Sequence, residues 1–164
     1  MIGLWTTTRR GDYNMGFKLS SKSRKFQRKL NQHSSSGEVK TKQEWYWLCA
    51  QVGLIRNDKA DEEPSGADFV QGWTDSIKPH SNLILGMLFK RYVENFPDIM
   101  LQTQVRQFME EIFDSEGTNL SVRGHEELNR YAEGGFEIIR DEMIDVPHEL
   151  FIFLNKYHQI IVNC

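Results

Sequence analysis

Residues 14–54 read NMGFKLSSKSRKFQRKLNQHSSSGEVKTKQEWYWLCAQVGL, and the changes of pattern along them set the fold class. Residues 14–19 alternate: Met15, Phe17 and Leu19 fall on one side, Asn14, Gly16 and Lys18 on the other. That spacing predicts a short strand with one apolar face. Ser20 and Ser21 then offer N-caps to a helix over residues 22–31, where Phe26 and Leu30 make a narrow i, i+4 stripe beside five cations. Residues 33–37 form a polar, Ser-rich turn. Thr41-x-x-Glu44 has the capping-box pattern. It opens a second helix with Trp45, Leu48, Cys49 and Val52 on one face and Gly53 as the expected stop.

Outward from this unit, residues 1–13 lack a period and read as a flexible arm. Residues 57–68 are acidic and contain Pro64 and Gly66, which marks a linker between a basic strand-helix-helix unit (14–56) and a helical body (69–164). Phe69, Val70 and Trp73 are expected to anchor a turn on the core. Ser81 or Asn82 caps a helix carrying Leu83, Ile84, Met87, Leu88 and Tyr92. Asp98 starts another, with Leu101, Val105, Phe108, Met109, Ile112 and Phe113 at the 3.6-residue period. A shorter helix with Leu128, Tyr131 and Ala132 is expected to break at Gly134-Gly135, and a new segment with Phe136, Ile139 and Met143 to stop before Pro147. The last helix presents Leu150, Phe151, Leu154, Tyr157 and Ile161. The expected fold is mainly α, a helical bundle with one short N-terminal strand.

The net charge of −3 conceals an asymmetry. Residues 1–45 hold ten Lys or Arg against three acids, whereas residues 46–164 hold ten against twenty. A basic segment of this kind suits nucleic acid or an acidic partner. The two cysteines, Cys49 in an apolar run and Cys164 at the last position, do not make a disulfide framework, which fits a reducing compartment. No positively flanked apolar leader opens the chain, and the longest apolar stretch, residues 83–89, is too short to span a bilayer. A cytoplasmic location, without membrane contact, is the expectation.

Chemistry-bearing motifs are missing. His125-Glu126-Glu127 and His148-Glu149 do not have the HExxH spacing, and no His or Cys pair has zinc-finger spacing. Phosphate-loop, dinucleotide-binding and nucleophile-elbow patterns are all absent. Asp141 and Asp145 share a face if one helix carries both, but no nuclease motif accompanies them. No enzyme activity, cofactor or metal is expected.

The order strand, basic helix, turn, capped helix resembles a ribbon-helix-helix unit. In that fold two chains pair their strands into a ribbon that enters the major groove, so it implies a homo-oligomer. Asn14 and Lys18 would face base edges, amides near residues 41–43 would meet a phosphate, and Lys22, Arg24, Lys25, Arg28 and Lys29 would contact or flank the backbone. Phe17-Lys-Leu-Ser-Ser-Lys22, followed by a helix, a turn and Trp45 to Leu54, also resembles the opening of the DndE family. Gly124-His-Glu-Glu-Leu-Asn-Arg-Tyr131 resembles that family's G-x-x-(x)-F-N-R-Y segment. The resemblance implies a small helical, non-catalytic, DNA-associated accessory subunit of a bacterial defence or DNA-modification complex. Its DNA-contacting residues would be Lys18, Lys22, Arg24, Lys25, Arg28, Lys29, Lys40 and Lys42. The alternative is an adaptor on a larger ATPase (SMC-like) or nuclease assembly, without direct DNA contact.

Overall fold

The helix starts are fixed by side chains close in sequence. In the computed structural model, which describes residues 16–95, 102–114 and 118–163, Ser20 caps α1 (Ser21–His33) by accepting from Ser23 N. Thr41 caps α2 (Lys42–Arg56) with the full capping box: Thr41 Oγ1 accepts from Glu44 N and Glu44 returns a carboxylate oxygen to Thr41 N, both at 3.0 Å. A 3-10 turn at Lys78–His80 leads into α3 (Ser81–Asn95). Beyond it come α4 (Gln102–Ile112), α5 (Val122–Glu142) and α6 (Leu150–Val162). The fold is all-α, as expected.

The expected N-terminal strand is described only from Gly16 onward. Asn14 and Met15 lie outside the described residues. Phe17 makes one antiparallel bridge to Val70, donating to the Val70 carbonyl while Phe69 N donates back, each at 2.9 Å. The backbone edge that a two-chain ribbon would use is therefore occupied at Phe17 within its own chain. Gly16 to Leu19 are all buried, so the alternation does not divide an inner from an outer face.

The central contact is α2 against α5, and glycine lets the two backbones touch. Leu128, Tyr131, Ala132, Phe136 and Ile139 of α5 face Trp45, Tyr46, Cys49 and Val52 of α2 in one buried cluster. A Cβ on Gly135 would overlap the Cys49 carbonyl oxygen and lie 2.6 Å from Gly53 N, while one on Gly53 would overlap the Tyr131 carbonyl oxygen. Neither Gly53 nor Gly134-Gly135 ends a helix: α2 runs on to Arg56, where Asn57 takes the left-handed conformation (φ 50), and α5 is continuous to Glu142. Arg91 of α3 covers the end of α2 by donating from Nε to Leu54 O and from Nη2 to Ile55 O.

The segment expected as a linker lies on α5. Ala60 N donates to Arg130 O, Arg130 Nε donates to Ala60 O, and Lys59 pairs with Glu127 at 2.8 Å. The helices on either side of it share one core, which runs from Phe17 to Ile160.

On α6 the inward stripe is Phe153, Tyr157 and Ile160. Phe151 and Leu154, expected inside, are exposed. Tyr157 Oη donates to Leu48 O at 2.8 Å and Arg56 Nη2 to Ile160 O at 2.9 Å, which fixes the rotation of the helix. Among the described residues no helix is long and apolar enough to cross a membrane.

Candidate nucleic-acid interface

Helix α1 buries Ser23, Phe26, Gln27 and Leu30, and this stripe decides where its charges go. Phe26 stacks on Trp45 with ring centroids 5.5 Å apart, and Trp45 Nε1 donates to Ser23 Oγ at 2.9 Å. With that face fixed, Lys22, Lys25, Arg28 and Lys29 are exposed, and Arg24 is half-buried beside them. Lys22, Lys25 and Lys29 recur at i, i+3 and i+7 and share one outer face; Arg24 and Arg28 form the neighbouring i, i+4 pair.

Two amides missed in the sequence bring the remaining cations to α1. Gln27 Nε2 donates to the carbonyls of Val39 and Thr41, each at 3.1 Å. Asn31 makes a two-way bond with Val39, donating to its carbonyl at 3.0 Å and accepting from its N–H at 2.9 Å. The chain at 39–41 is thereby tied to α1, and exposed Lys40 and Lys42 stand opposite Arg24 and Arg28. The result is a groove of about 300 Å³ lined by Arg24, Gln27, Arg28, Asn31, Lys40 and Lys42. Nothing in the local sequence flagged Gln27 or Asn31, because their partners are backbone groups some ten residues away.

Seven of the eight expected cations thus belong to one region, and among the described residues none of the seven is in an ion pair. Lys18 stands apart. It is buried, its Nζ is 2.8 Å from Glu63 Oε1, and its backbone N donates to Asn129 Oδ1. It is a structural ion pair with no access to a base edge. Asn14, its expected companion, lies outside the described residues. At the start of α2 the Thr41 N–H is taken by Glu44, so of the amides expected to meet a phosphate those of Lys42 and Gln43 remain.

Among the described residues, the buried polar groups elsewhere are satisfied structurally, apart from Arg56 Nε. Asn129 accepts from Lys18 N and Tyr46 Oη and donates to Gly16 O and Glu63 Oε2, all between 2.9 and 3.0 Å. His125, set among Phe17, Thr118 and Ser121, has its pKa lowered by burial, which favours the neutral ring. Burial likewise pushes the Cys49 thiol up, away from the thiolate. Asp141 sits beside Arg140 and α5 ends at Glu142, so Asp145 does not share its helical face. Among the described residues no three His, Cys, Asp or Glu side chains converge as a metal site.

Tyr46, Cys49 and Gly53 of α2 pack against Asn129, Tyr131 and Gly135 of α5. No protein-family model matches the chain, and neither a curated protein nor a solved structure is significantly similar to it.

Proposed function

We propose that the protein is a non-catalytic DNA-associated accessory subunit that grips the phosphate backbone with α1 and the start of α2. The observation that carries this reading is the cluster of seven cations on one region, clear of ion pairs with any described acid. Exposed cations gathered on one face raise the local potential and favour a polyanion. Lys and Arg contacts to phosphates position a protein on DNA without reading sequence. Membership of a bacterial defence or DNA-modification complex is supported by the family resemblance.

The test is retardation of a DNA duplex measured across salt concentration. Binding through phosphates weakens steeply as salt rises, because each neutralised phosphate releases counterions. Replacing Lys22, Lys25 and Lys29 together by Glu should abolish retardation. Equal retardation by this variant and the wild type would sink the reading.

Helix α6 favours the second reading, a protein-protein adaptor on an ATPase or nuclease assembly. Phe151 is 55% exposed and Leu154 43% exposed on its outer side. Exposed apolar side chains grouped on one face mark interaction surfaces. No DNA shift at low salt, together with co-purification of an ATPase or nuclease encoded beside it, would favour the adaptor.

A further inference from the structure

We infer that the groove between α1 and residues 39–42 is a preformed seat for a single phosphate group, built by Gln27 and Asn31 and charged by Arg24, Arg28, Lys40 and Lys42. The inference rests on the DNA-associated reading and deepens it: the outer face of Lys22, Lys25 and Lys29 guides the backbone, and the groove fixes one phosphate of it.

Three observations carry the seat. First, four cations and two amides line the groove, and no acid is among its lining residues. Like charges held together cost free energy that a bound anion offsets. Second, the amides do not compete for the anion. Gln27 and Asn31 spend their hydrogen bonds on the backbone at 39–41 and so fix the positions of Lys40 and Lys42. The lysines are carried on an anchored backbone, which lowers the ordering cost of binding. Third, Arg24, one of the lining residues, has its Nε buried without a hydrogen-bond partner. That atom is not tied to a carbonyl or carboxylate of any described residue, so the Arg24 guanidinium keeps its charge for an oxyanion in the groove. The two arginines supply planar forks that suit tetrahedral oxyanions, and the two lysines supply point charges.

The seat is tested by NMR and by DNA binding on the full chain, with Lys40→Gln/Lys42→Gln as the variant. Both lysines are exposed, so the fold is retained. In the wild type, inorganic phosphate at low salt should shift the Arg24 Nε–H and Lys42 amide signals, and the variant should show a much weaker shift. DNA affinity of the variant should fall about tenfold, with the salt slope shallower by about 1, the loss of one phosphate contact.

If DNA binds and the variant keeps both affinity and slope, the seat is wrong and the outer face suffices. If phosphate shifts these signals while DNA is not retarded, the seat stands and the DNA reading falls. If phosphate shifts neither signal and DNA is not retarded, both fall.

Discussion

Gly135 of α5 lies against Cys49 of α2 so closely that a Cβ on the glycine would overlap the cysteine's carbonyl oxygen. The clash is with backbone, so no rotamer change relieves it and the helices must move apart. Gly135→Ala should cost about 3 kcal/mol or more, at the upper end of overpacking in a core. Gly86 in α3 is the control: a Cβ there meets nothing within 4 Å, so Gly86→Ala should stabilise by about 0.5–1 kcal/mol. Urea midpoints at constant m-value measure both. Equal small effects at the two positions would refute the packing argument.

Asn129 connects three parts of the chain through its four hydrogen bonds. Asn129→Leu keeps the volume and strands Tyr46 Oη, Lys18 N, Gly16 O and part of the Glu63 carboxylate. Each buried group left unmade costs about 1–3 kcal/mol, so the variant should lose on the order of 4 kcal/mol. A loss below about 1 kcal/mol in chemical unfolding would mean that these groups find other partners.

Glu149 is held by the turn that follows α1. It accepts from Ser35 Oγ, Ser35 N and Ser36 N, each at 2.9 Å, while Ser34 Oγ accepts from Leu150 N at the start of α6. The Ser35 hydroxyl, then the Ser36 side chain and backbone N–H, lower its pKa from 4.5 to about 2. A carboxylate with a lowered folded-state pKa adds stability that is fully present above its unfolded value. That stability is lost as pH falls from 4.5 towards 2. Glu149→Gln should therefore be less stable than wild type at neutral pH, with the gap closing across that window. A gap that stays constant from pH 7 to pH 3 contradicts the latch.

What the sequence disclosed and what it hid divide along range. The caps at Ser20 and Thr41 were legible because a cap and its partner lie three residues apart. The glycines were misread because their reason for being glycine is a second helix far along the chain, and a break is the only local meaning they have. Lys18 was placed outward by alternation, but its backbone N donates to Asn129 and its side-chain partner Glu63 is 45 residues on. On α6 the periodicity did not settle the inward face, since apolar residues occur nearly all round it at Leu150, Phe151, Ile152, Phe153 and Leu154. The basic helix was legible from composition, whereas the groove depends on Gln27 and Asn31 reaching residues 39–41.

The glycine contact also sets how the chain can fold. Isolated helices form in about a microsecond. Here the pair that defines the core joins Gly53 to Gly135, about 80 residues apart, and closing so long a loop costs entropy before packing returns it. An all-α chain would ordinarily be a fast, low-contact-order folder. In this one the pairing of the two central helices is non-local, which raises the contact order and is expected to slow folding relative to a bundle of neighbouring helices.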